Sequence, residues 1–231
     1  MGESEMTDHH FMHDRGYIVV EGPVGVGKTA LARKLAGTFN SGLIVERPEE
    51  NPFLARFYKD PHQYALPVQL SFLFQRIRHL ERLQQGDLFH AHWVTDFFLG
   101  RDLLFAELTL DHDEFEIYYD VYERLAPNVP SPGLVIFLQS SATTLQERLF
   151  RRHLPAEHQI PPDYLERIID GYARFFLRYS GAPLLMINAE KINFLAIEED
   201  YRQLLDYLPT VQKGRHFFNP LPAIEAIGIS G

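Results

Sequence analysis

Gly22-Pro23-Val24-Gly25-Val26-Gly27-Lys28-Thr29 is the part of this chain whose residue types and spacing most plainly suggest chemistry. It fits the pattern G-x-x-x-x-G-K-[ST], in which glycines let the backbone turn so that several N–H groups point inward at phosphate oxygens. Val24, Gly25 and Val26 would contribute such groups between Gly22 and Gly27. The N-terminus of the helix that follows adds partial positive charge. Lys28 is placed to reach the β- and γ-phosphates, and the Thr29 hydroxyl suits Mg²⁺. The expectation is a site for ATP with Mg²⁺. A guanine switch would need Asn-Lys-x-Asp after a late strand. Asn188-Ala-Glu-Lys191 stands there instead, with its lysine too late in the order.

Other residues could receive or steer the phosphoryl group. Glu46 ends the second apolar run, at the strand tip nearest the phosphate loop in a parallel sheet. A carboxylate there can take the proton of an attacking hydroxyl. Because phosphoryl transfer is loose, that proton leaves late and an ordinary glutamate pKa of about 4.3 suffices. Asp96 is the carboxylate at the end of the third run and is assigned to Mg²⁺, directly or through water. Gln69, Leu73 and Arg76 fall at i, i+4 and i+7 and share one helical face, as do Arg148, Arg151 and Arg152.

These residues need a frame, and the apolar pattern describes one. Short apolar runs at Tyr17–Glu21, Leu43–Glu46, Trp93–Phe97, Leu134–Leu138 and Leu184–Asn188 read as strands. Their near-continuous hydrophobicity is that of buried parallel strands. Helices are expected at Lys28–Phe39, about His62–Gln85, Asp102–Leu110, Glu114–Leu125, Thr143–Arg152, Pro162–Tyr179 and Ile197–Leu208. Strand–helix alternation predicts an α/β fold of three layers, a five-stranded parallel sheet flanked by helices. Residues 1–15 read as a flexible N-terminus, 16–212 as one domain, and 213–231, rich in Pro and Gly, as a tail.

Composition narrows the classes further. The 231 residues carry 22 basic and 31 acidic side chains, a formal net charge of −9. That balance is opposite to a phosphate-backbone binder's, so no nucleic-acid partner is expected. The longest apolar run is five residues, against about 20 for a membrane-spanning helix. The N-terminal stretch lacks the apolar core of a secretory signal. The absence of cysteine removes disulfides and thiolate chemistry and fits a reducing, cytoplasmic setting.

Several pieces in order resemble the deoxynucleoside kinase family. They are the phosphate loop, Glu46 soon after it, Phe57-Tyr58, then Gln69 eleven residues on and Arg76 seven further. Phe105-Ala106, Arg148-x-x-Arg151-Arg152 with Glu157, and Tyr164-Leu165-Glu166 complete the resemblance, which runs from about Tyr17 to Leu208. Asn51-Pro-Phe-Leu54 and Thr95-Asp96-Phe97 are similar to a bacterial subgroup. The resemblance implies that ATP·Mg²⁺ phosphorylates the 5′-hydroxyl of a (deoxy)nucleoside. Glu46 would be the base, and Tyr58 and Glu157 would hold the 3′-hydroxyl. Gln69 would pair with the nucleobase edge, helped by Arg76, and Phe105 would stack on it. Arg148 and Arg152 would clamp the triphosphate, with Ala189–Phe194, Glu190 included, near the adenine. A homodimer through long helices is also implied.

Four departures stand out. The tryptophan often found soon after the family's catalytic glutamate is absent, and Asn51 stands there. The arginine the family often carries directly after the third strand is missing, with Arg101 near in sequence. Arg101 itself stands where many members have an aspartate near the base. Leu154 replaces a lid arginine. Two alternatives stay open at this point: a kinase for another small acceptor, such as a nucleoside monophosphate, and a kinase-like subunit without catalysis.

Overall fold

The structure is a computed structural model, and it describes residues 11–12, 15–85, 90–151, 162–190, 192–194 and 196–219. Six strands, β1 (Tyr17–Glu21), β2 (Gly42–Ile44), β3 (Trp93–Thr95), β4 (Leu134–Gln139), β5 (Leu184–Asn188) and β6 (Arg215–Phe218), form one sheet in the order β2-β3-β1-β4-β5-β6. Every neighbouring pair is parallel. The helices are α1 (Lys28–Thr38), α2 (Leu54–Phe57), α3 (Pro61–Gln85), α4 (Asp102–Thr109), α5 (His112–Leu125), α6 (Ala142–Arg151), α7 (Pro162–Arg178) and α8 (Glu198–Tyr207).

Side-chain alternation divides the core into two layers. Ile18 and Val20 of β1 and Leu134, Ile136 and Leu138 of β4 face α1, α6 and α8. Tyr17, Val19, Val135 and Phe137 face the other way, toward α3, α4, α5 and α7. This second layer is aromatic: Phe137 and Phe176 lie 4.2 Å apart, and Tyr172 stacks on Phe137 at 5.5 Å. By the same parity Glu21, last in β1, points into the second layer.

α1 has 11 residues, too few to hold by propensity alone. Fully buried Leu31 and Leu35 hold it to the sheet, each contributing about 1.5–3 kcal/mol. It ends in a Schellman motif: Asn40 is left-handed (φ 48°), and Ser41 N–H donates to Ala36 O at 2.9 Å. α5 starts at a capping box, with Glu114 N–H on Asp111 Oδ1 at 2.9 Å and Asp111 N–H on Glu114 Oε2 at 3.3 Å.

Three expectations are corrected. The sheet has six strands, not five. β6 escaped notice because it is four residues long and buries only its last residue, Phe218, at the edge of the sheet, within a Pro- and Gly-rich stretch. β2 and β3 are each three residues, so Glu46 and Asp96 lie just beyond their strands, on loops. The packed unit is wider than 16–212: Phe11 and Met12 are buried, Arg15 Nη1 donates to Gly133 O at 3.2 Å, and β6 belongs to the sheet.

Candidate active site

The strand tips β1, β2 and β3 converge on one face, and the phosphate loop sits at their centre. Gly25 (φ 81°) and Gly27 (φ 106°) take left-handed conformations that side chains resist. Gly22 is fixed by proximity, since a Cβ there would lie 2.5 Å from Leu138 O. Leu31 N–H reaches Gly27 O at 3.1 Å, so the helix begins directly on the loop. Lys28 folds back over the loop and donates to Gly22 O at 2.7 Å and Pro23 O at 3.1 Å. Burial lowers its pKa; Glu21, Glu46 and Asp96 oppose that fall and Arg101 adds to it.

Thr29 and Asp96 meet. The Thr29 hydroxyl donates to Asp96 Oδ2, and Glu46 N–H donates to Asp96 Oδ1 at 2.6 Å. A hydroxyl and a carboxylate side by side at the mouth of a phosphate loop are hard oxygen donors of the kind Mg²⁺ prefers. One aspartate thus fixes both the candidate metal position and the backbone of Glu46.

Glu46 is gripped by two guanidinium groups. Arg76 Nε–H donates to Glu46 Oε1 at 2.7 Å, and Arg76 Nη2 also pairs with that oxygen. Arg101 Nη2 donates to Oε2 at 3.1 Å. Burial alone would raise the Glu46 pKa, but the Arg76 and Arg101 charges outweigh it and hold it below the usual glutamate value. Arg76 also donates from Nη1 to Asp102 Oδ1 at 2.5 Å. Asp102 is fully buried, and desolvation pushes its pKa up against the pull of Arg76 and Arg101. Arg101, 6% exposed, lies 3.0 Å from Glu21 Oε2 through Nε and donates from Nη1 to the Tyr172 hydroxyl at 3.0 Å.

Beside this network lie the residues expected to meet the acceptor. Gln69 Nε2 donates to Thr109 Oγ1 at 3.0 Å, and Thr109 in turn donates to Phe105 O at 2.7 Å. Phe105 is half-buried, with the Arg101 guanidinium 4.8 Å from its ring centre. Tyr58 caps α2 and packs on Phe57, Ala65 and Val68. Asn51 Nδ2 donates to Val68 O at 3.1 Å and its Oδ1 accepts Phe53 N–H, tying the loop after Glu46 to α3.

On the other side, Arg148 bridges the phosphate loop and the loop after β5. It donates to Val26 O at 3.3 Å and Ala189 O at 2.7 Å. Glu190 accepts Ser141 N–H at 2.9 Å and so draws the β4 and β5 tips together. Arg152, Leu154 and Glu157 lie outside the described residues, so the expected clamp and 3′-hydroxyl partners there have no geometry.

The structure therefore gathers Lys28, Thr29, Glu46, Asp96, Arg76 and Arg101 into one cluster, with Phe105 beside Arg101 and Gln69 joined to Phe105 through Thr109. Arg76 was expected at the nucleobase edge; its donors go to Glu46 and Asp102. Sequence reasoning missed Glu21, Asp102 and Tyr172. Glu21 had a signal, a carboxylate closing an otherwise apolar strand in the register of Tyr17 and Val19. Asp102, a helix-opening residue, and Tyr172, one of several aromatics on α7, had none.

A parallel α/β sheet with a phosphate loop at its centre, a carboxylate facing that loop and a hydroxyl–carboxylate pair beside it define a phosphate-loop kinase. The chain belongs to the deoxynucleoside kinase family, which it matches over residues 18–211. It is 29% identical to a deoxyguanosine kinase of Bacillus subtilis (strain 168), covering 84% of this chain and 96% of that one. It is 26% identical to a deoxyadenosine/deoxycytidine kinase of the same organism, covering 89% and 97%. A solved deoxyadenosine kinase from M. mycoides shares the fold at a TM-score of 0.73 and 23% identity, over 84% of this chain and all of that one. The chain is accordingly an enzyme, a phosphotransferase acting on nucleosides.

Proposed function

We propose that this kinase transfers the γ-phosphoryl group of ATP to the 5′-hydroxyl of a 2′-deoxynucleoside, with Mg²⁺ held by Thr29 and Asp96. The loop N–H groups from Val24 to Thr29, with Lys28, bind the triphosphate. Mg²⁺ would neutralise charge on the phosphates. Glu46 takes the 5′-hydroxyl proton, Tyr58 and Glu157 hold the 3′-hydroxyl, and Gln69 with Phe105 reads and stacks the base. Arg148 and Arg152 close over the donor, with Glu190 beside the adenine. Purine deoxynucleosides are expected to lead, since the relatives include enzymes named deoxyguanosine and deoxyadenosine kinase.

The observation that carries this reading is the binding of Arg76 and Arg101 to carboxylates. A monophosphate kinase needs free arginines around an acceptor phosphate. Here both guanidiniums are spoken for by Glu46, Asp102 and Glu21, which favours an uncharged acceptor. The test compares a deoxynucleoside, its 3′-deoxy analogue and its 5′-monophosphate with ATP·Mg²⁺. The analogue should lose at least about tenfold in kcat/KM, because it leaves buried polar groups unpaired. Tyr58→Phe should shrink that penalty. Phosphorylation of the monophosphate alone would overturn the reading.

The enzyme works as a homodimer in a cytoplasmic setting. The packed pair α3 and α5 leaves Phe74 43% and Ile117 54% exposed, apolar surface that a second copy would cover. Ile117→Glu should shift the sedimenting mass from two chains to one. An unchanged mass for wild type and variant would place the interface elsewhere or exclude it.

A further inference from the structure

The segment after β3, Asp96-Phe97-Phe98, carries no arginine, yet Glu46 still meets two guanidiniums. One comes from α3. The other, Arg101, comes from the turn before α4 and is itself mounted on two residues to which no role has been given above. Its Nη1 donates to the Tyr172 hydroxyl at 3.0 Å, and its Nε faces Glu21 Oε2 at 3.0 Å. The Tyr172 hydroxyl donates to Glu21 Oε1 at 2.8 Å, and Gly22 N–H donates to the same oxygen at 2.8 Å. Arg101, Tyr172 and Glu21 thus close a ring that holds one end of the guanidinium and leaves Nη2 for Glu46. The ring is dry: Glu21 and Tyr172 are fully buried. Through Gly22 it is attached to the phosphate loop itself.

We propose that Arg101 is a positioning residue for Glu46, and that Glu21 and Tyr172 are its mount. This rests on the reading of Glu46 as the base. A fork-shaped, permanently charged donor fixes both the place and the tilt of a carboxylate. Because the fork hangs from the residue preceding Gly22, Glu46 is set relative to the phosphates. A buried ion pair is a poor source of stability compared with apolar packing, so stability alone does not account for three polar residues in an aromatic layer. Phe105, Phe137 and Phe176 surround Tyr172.

The test is a pair of double-mutant cycles. Glu46→Gln, Arg101→Lys, Tyr172→Phe and the two pairs with Glu46→Gln are assayed with ATP·Mg²⁺. The acceptor is whichever of deoxyadenosine, deoxyguanosine, deoxycytidine and thymidine wild type turns over fastest. Arg101→Lys keeps the charge but loses the fork. Its kcat should fall by about 10- to 100-fold, with KM within about threefold, since general-base geometry acts on the chemical step. Tyr172→Phe removes one hydroxyl and should lower kcat by about 3- to 10-fold, the value of one hydrogen bond. In the Glu46→Gln background neither should change kcat more than about twofold, because the group they position has lost its role. Losses that multiply on top of Glu46→Gln would overturn the proposal, as would losses confined to KM. Full-rate turnover by Glu46→Gln alone would instead overturn the reading of Glu46 as base. If Arg101→Lys fails to fold, the Tyr172→Phe cycle decides alone, since Phe fits the same aromatic pocket.

Discussion

In the proposed mechanism Glu46 accepts a proton while two guanidinium groups hold its carboxylate. That would disable a base needed to pull a proton early, but a loose transition state releases it late, when the oxygen is already acidic. Glu46→Gln should therefore lower turnover by about 10²- to 10⁴-fold, with nucleoside affinity much less changed, as read by steady-state rates and equilibrium binding. The same contacts set a pH dependence of stability. The folded pKa of Glu46 lies below its ordinary 4.5. Its ionised form therefore stabilises the fold above that pH, and the contribution fades as pH falls through the folded value. Wild type should lose thermal stability more steeply than Glu46→Gln below about pH 5. Lys28→Ala removes the cation proposed to serve the triphosphate, so turnover should drop by about two or more orders of magnitude. The melting temperature should hold, because the Lys28 ammonium bonds only carbonyls of its own loop among the described residues. Unaltered turnover would dismiss the phosphate loop as the donor site. Lys28, Thr29 and Glu46 were legible because each follows a motif or a strand end. Arg76's true partners were not, since a guanidinium on a helix face can turn to any carboxylate the tertiary fold delivers. Asp102 is 26 residues away in sequence.

At the scale of elements, two substitutions separate holding a helix from shaping a site. Asp111→Ala deletes one half of the α5 capping box and should cost about 1 kcal/mol of stability. Denaturant unfolding should show it, and activity should stay at wild-type level because α5 starts on the surface. Gly22→Ala places a methyl group against the Leu138 carbonyl, and that oxygen belongs to β4 and cannot move aside. The loop must shift instead, so ATP binding should be lost along with stability. An alanine enzyme that still binds ATP by calorimetry would show that the loop tolerates displacement. The pattern predicted the long elements well. α3 begins within a residue of its expected start and α7 ends within one of its expected end. Short elements failed for a physical reason: β2 and β3 have three residues each, held by neighbouring strands rather than by their own sequence.

Across the whole molecule, what the sequence left open was where the packed unit stops. The Pro and Gly of 213–231 read as a tail, and no local signal could tell that Arg215–Phe218 would find a partner in β5. That partnership has a consequence for handling the protein. β5 is Leu-Leu-Met-Ile-Asn, apolar on both faces, and among the described residues it is β6 that covers its outer backbone edge. β6 makes a blunt edge, since it is short and carries Arg215 and His216. A chain shortened to end at residue 212 would uncover a flat, greasy strand edge in its place. Such a protein should retain its phosphate loop yet precipitate or form higher assemblies on concentration, visible by light scattering, whereas one ending at residue 219 should stay clear.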